Sequence, residues 1–198
     1  LAICATWLAS SARANDGDLI GYTDLAGHAG ALQANGAGIA VAQVEAFAAS
    51  TSDYSPDTAA TDFAGKTFTN RSGTSGISGH ATQVAMEFYG ASFSPAPGIS
   101  AVSLFSAESF VSGLLRQGRS KRAPGGVGAA VVNNSWIATL TDDAANVDTV
   151  RRLDDLINRD DVLVFNAVSN SATDPFPLLL ASSVNGVSVG TLTGSHGP

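Results

Sequence analysis

The stretch GIAVAQVEA, residues 38–46, is a run of small, mostly apolar residues that ends in one carboxylate, Glu45. Such a run reads as a strand covered on both faces, the kind that parallel sheets require. Similar runs follow around residues 99–105, 126–133, 161–172 and 184–192. Helical patterns separate most of them. GISGHATQVAMEFYG, residues 76–90, carries the cap candidate Ser78 and a helix to about Tyr89, with His80, Val84 and Phe88 at helical spacing. SAESFVSGLLRQG, residues 106–118, reads as a short amphipathic helix. Residues 142–159 read as a longer one, with Val147, Val150, Leu153, Leu156 and Ile157 on one face. Strands alternating with helices predict an α/β fold, a doubly wound and mostly parallel sheet in three α/β/α layers. The polar residues 50–78 are expected to be surface loops. Arg119, Lys121 and Arg122, in RSKRAPGG, are expected to be solvated charge.

A chain of 198 residues bounds this to one domain with a substantial core. Its 44% hydrophobic and 14% charged residues argue against disorder, and a net charge of −7 leaves no footprint for nucleic-acid phosphates. Residues 1–14, LAICATWLASSARA, resemble the end of a secretory signal, with Ala12-Arg13-Ala14 as the cleavage pattern; a buried N-terminal helix is the alternative. The expected division is 1–14 partial signal peptide, 15–37 lead-in and 38–198 main domain. Cys4, the only cysteine, falls within the signal, so disulfide and thiol chemistry are not expected in the mature chain. The expected location is extracytoplasmic, secreted or periplasmic and of bacterial type, without membrane attachment after cleavage, and the expected state is a monomer.

In open parallel sheets, functional groups gather beyond the carboxyl ends of the strands. That rule selects Glu45, the segment Asn133–Trp136 and the segment Asn166–Ser171, and His80 joins them from a helix start. His80 is either a core histidine or a catalytic base in a cleft. Asp53, Asp57 and Asp62 are rival acids to Glu45. His28 and His196 are assigned to surface or loop packing. No dinucleotide or phosphate-loop pattern is present, nor HExxH, cysteine pairs or an Asp-rich loop. No cofactor or metal is therefore expected, with calcium left open.

Taken in order, these segments resemble the subtilisin-like serine peptidases from about Gly36 to the end. GIAVAQVEA resembles the family's first catalytic strand. SGHATQVA resembles its histidine motif, and SPAPGISAVSLF the turn and strand that follow. VVNNSW resembles the strand lining the substrate groove, VFNAVSNSA the segment bearing the oxyanion asparagine, and VNGVSVGTL the next strand. The resemblance implies that His80 is the general base, Glu45 its acid partner and Asn170 the oxyanion donor. It also implies that Asn134, Ser135 and Trp136 lie along an extended peptide substrate. For Asn170 an Asx turn, and for Trp136 ordinary packing, are the structural alternatives.

The departures are Glu45 where aspartate is usual, Ala81 and Gln83 in the histidine motif, and Ser169 in place of a glycine. The family's Gly-Thr-Ser nucleophile segment has no counterpart in residues 1–198, and Ser135 lacks a Gly-x-Ser-x-Gly elbow. The implied activity is a secreted serine endopeptidase whose serine lies beyond this fragment, the fragment itself being inactive. The alternative is an inactive module of the same fold that binds a peptide or a cell-surface partner.

Overall fold

The computed structural model describes residues 21–29, 34–48, 51–119, 121–140, 142–169 and 179–190. The expected signal peptide with Cys4, and the residues Asn170 and His196, lie outside them. The helices are α1 Tyr22–Ala29, α2 Gly79–Tyr89 and α3 Asp143–Asp160. The strands are β1 Ala40–Glu45, β2 Thr67–Asn70, β3 Ala101–Ser106, β4 Val131–Asn134, β5 Leu163–Ala167 and β6 Val187–Val189.

The strands form one six-stranded sheet in the order β2-β3-β1-β4-β5-β6, and every pairing is parallel. The α/β doubly wound expectation therefore stands. β1 occupies the interior, with Glu45 opposite Ser106 of β3 on one side and Val44 opposite Asn134 of β4 on the other. The chain moves outward from β1 to the β3–β2 side, then returns to build β4, β5 and β6. β1 is therefore the switch point of the sheet, the place at whose carboxyl end open parallel sheets gather functional groups.

Side chains alternate across the sheet, so β1 feeds two cores. Val41 packs with Tyr54, Phe63, Ala85, Tyr89 and Leu104 on the α2 face. Ala42 and Val44 pack with Phe105, Phe110, Leu153, Leu156 and Val164 on the α3 face. Just before β1, Gly36 turns the chain with φ +79°, and a Cβ there would stand 2.6 Å from Ile99 Cγ1. Only glycine combines that backbone with that closeness.

Several expectations change. The stretch 50–78 is not merely surface loop. It contributes edge strand β2 and buries Tyr54 and Phe63, because isolated aromatics in a polar run still carry enough apolar area to anchor it. The segment after β3 is a π-helical turn, Ser109–Leu114, with Leu115 N–H bonded to Phe110 O, and it ends short of Gly118. Strand β4 continues through Asn134 instead of breaking at Asn133. The last two strands are shorter than their apolar runs. In α3, Val147 is 54% exposed, and the buried stripe instead includes Asn146, Thr149 and Arg152. Arg152 is buried because its guanidinium is used: Nε donates to Asp148 at 2.8 Å, and Nη1 to Arg122 O at 2.8 Å. It thereby ties the Arg122 loop to the helix. Among the described residues, no helix is long and apolar enough to cross a membrane.

Candidate active site

Two elements end at the same place. β1 delivers Glu45 at its carboxyl end, and α2 begins with Gly79-His80. Ser78 caps α2, its Oγ accepting from Ala81 N–H at 3.2 Å. The buried stripe of α2 is Ala81, Ala85 and Tyr89, one position after the expected His80, Val84 and Phe88. That shift of one position, about 100° around the helix axis, takes His80 off the core face and leaves its side chain 50% exposed. It is no core histidine.

His80 Nδ1 donates to Glu45 Oε2 at 2.9 Å, across 35 residues of sequence. Glu45 is 1% exposed. Its other oxygen, Oε1, accepts from Gln43 Nε2 at 2.8 Å. With Glu45 ionised both of its oxygens can only accept, so Nδ1 carries the proton, and in the neutral ring Nε2 is the acceptor. Nε2 has no partner among the described residues.

Burial pushes the Glu45 carboxyl above its ordinary value, opposed by the hydrogen bond and charge of His80 and by Gln43. The hydrogen bond and charge of Glu45 push His80 upward too, against its own partial burial. The two shifts have the same sign. The pair keeps its shared proton to higher pH than the separated side chains would. A buried acid that holds one ring nitrogen while the other faces outward is the geometry of a general base.

The rival acids are occupied elsewhere. Asp53 Oδ1 accepts from Gly76 N–H at 2.7 Å, Asp57 Oδ1 from Ala59 N–H at 3.2 Å, and Asp62 Oδ1 from Ser92 N–H at 3.1 Å. Each closes a loop, and none bonds His80. His28 sits exposed on α1, with Nδ1 2.8 Å from Asp24 O.

The groove residues divide. Asn134 is 1% exposed, and its Nδ2 donates to Asn166 Oδ1 at 3.0 Å. Trp136 Nε1 donates to Asn134 Oδ1 at 3.2 Å. The side chain of Asn134 therefore braces β4 against β5. Ser135 is half-buried. Its Oγ accepts from Asn133 Nδ2 at 2.7 Å, and its backbone N–H reaches Val44 O at 3.3 Å. Trp136 packs on the α3-side core, so for its ring body the packing alternative holds. Asn170 lies outside the described residues.

Gln43 is the member that the sequence reading passed over. The signal was present: a lone amide in an apolar run, two residues before Glu45 and so on the same strand face. Among the described residues, no group of three or more His, Cys, Asp or Glu side chains stands together as a metal site.

No family model matches the chain, and no curated protein matches it. Among solved structures it is similar to the prenylagaramide maturation protease PagA, at 20% identity and a TM-score of 0.42, over 68% of this chain. The match covers 47% of that protease, so the chain spans about half of its length.

Proposed function

We propose that Glu45 and His80 are the acid and base of a secreted, subtilisin-type serine endopeptidase whose nucleophilic serine is contributed by residues following position 198. One observation carries this reading: the 2.9 Å bond from His80 Nδ1 to a buried carboxylate at the switch point of a parallel sheet. In that role, His80 Nε2 takes the serine proton as Oγ attacks the peptide carbonyl. It then returns the proton to the leaving amine, and Glu45 stabilises the imidazolium in between. Asn170 would donate to the oxyanion. The backbone at Asn134–Trp136 would align the peptide, with the Asn134 side chain as an internal brace. Peptide is the substrate class, and secretion rests on the pattern of residues 1–14.

The test is labelling of the full-length protein with a fluorophosphonate probe. Covalent labelling that disappears in His80→Ala supports the reading. A folded full-length protein that takes up no label overturns it.

A further inference from the structure

Gln43 is 1% exposed, and three hydrogen bonds fix its amide. Nε2 donates to Glu45 Oε1 at 2.8 Å and to Ala81 O at 2.9 Å. Oε1 accepts from Tyr89 Oη at 2.5 Å. The orientation follows from chemistry alone. A carboxylate oxygen and a peptide carbonyl can only accept, so the NH2 must face both of them. The carbonyl end is then left for Tyr89, which must donate. Tyr89 is fully buried, and that burial, followed by the charge of Glu45, holds its hydroxyl far above the usual phenol range. It therefore stays a neutral donor.

We infer that Gln43, locked by Tyr89, is the positioning residue of the acid–base pair: it bridges the carboxylate of Glu45 to the carbonyl of Ala81, the residue after His80. Its two N–H groups span the end of β1 and the first turn of α2. They take Oε1 of Glu45 and leave Oε2 to the imidazole. A glutamate has one more rotatable bond than an aspartate, and that bond must be held if the carboxylate is to meet Nδ1 squarely. Gln43 holds it. Tyr89 lies on the same buried stripe of α2 as Ala81, so the helix that presents the base also supplies the group that orients the acid's clamp. His80 is the titratable group that acts on Glu45, and Glu45 the one that acts on Tyr89.

The proposal rests on reading the pair as acid and base, yet its test needs no peptidase turnover. The Glu45 carboxyl carbon and the His80 ring nitrogens are followed by NMR across pH in the 198-residue chain. In Gln43→Met, which keeps length and loses both donors, the Glu45 step moves up and the bonded Nδ1 proton signal is lost. Tyr89→Phe gives a smaller shift in the same direction, and no further shift when combined with Gln43→Met. Folded Gln43→Met with an unchanged Glu45 step overturns the proposal. Additive shifts in the double variant overturn the part played by Tyr89. Should Gln43→Met fail to fold, the wild-type chain still decides. The Gln43 side-chain N–H signals must titrate with the Glu45 midpoint, and signals that stay flat through it overturn the bridge. Failure of the peptidase reading shows separately, as absence of probe labelling.

Discussion

His80 has its two ring nitrogens in different environments, and its behaviour follows from that division. Nδ1 is committed to a carboxylate that is itself buried, and the ring as a whole is half in solvent. Removing the carboxylate charge without changing shape, as in Glu45→Gln, takes away what raises the imidazole and leaves the burial that lowers it. The His80 titration then falls to or below its ordinary 6.5, which an NMR titration reads directly. In a serine-containing full-length enzyme, the same change is expected to lower kcat by about ten-thousandfold, through loss of the correct tautomer and of imidazolium stabilisation. Asp53→Asn, Asp57→Asn and Asp62→Asn leave the His80 titration where it is, because each of those carboxylates serves its own loop.

At the scale of elements, the helix α3 separates what the sequence shows from what it hides. Its length and both ends are legible: Asp142 caps the start, its Oδ1 accepting from Ala144 N–H at 2.9 Å. Its end is closed by Asp161 in the left-handed region, φ 51°. Asp142→Ala is expected to cost about 1 kcal/mol. Asp161→Gly is expected to gain up to about 1 kcal/mol by relieving that backbone. Leu153→Ala, at a fully buried position, costs about 2–5 kcal/mol, whereas Val147→Ser stays within about 0.5 kcal/mol. Thermal or urea unfolding ranks all four. Val147 was misplaced because hydrophobicity marks a face only when the competing residues are polar in effect. Arg152 outranks it here by finding a carboxylate and backbone carbonyls inside. The same reasoning explains β2. Four residues with little burial on an edge leave almost no apolar signature, so Thr67–Asn70 is readable only once β3 is in place to pair with it. The meeting of Glu45 and His80 was legible because a strand end and a capped helix start are local signals. Gln43 carried a local signal as a lone amide in an apolar run, but its pairing with Tyr89 did not, since that pairing spans 46 residues and no local pattern encodes it.

Across the whole molecule, the proton held between Glu45 and His80 tilts stability with pH. Both groups have folded values above their unfolded ones, so between about pH 4.5 and the raised histidine value the native state binds more protons than the unfolded chain. The Glu45 part is complete below 4.5 and is lost as pH rises through its raised value, and the His80 part is complete below 6.5 and is lost as pH rises through its own raised value. Asp148 acts with the opposite sign. Its partial burial raises it, but the Gly118 N–H and Arg152 outweigh that and hold it below 3.8, so its contribution is lost as pH falls through the depressed value. The chain is therefore expected to be most stable in mildly acidic solution, and denaturant midpoints taken from pH 3 to 9 check it. In Glu45→Gln the decline above pH 6.5 flattens. The central place of β1 bears, finally, on how the molecule is made. Among the described strands β1 leaves the ribosome first, yet both of its neighbours, β3 and β4, are synthesised later. Until residue 106 has emerged, no native partner exists for either edge of the strand that carries the acid. During translation β1 thus waits as an open template, and the strand that carries the acid is paired only once β3 has emerged beside it.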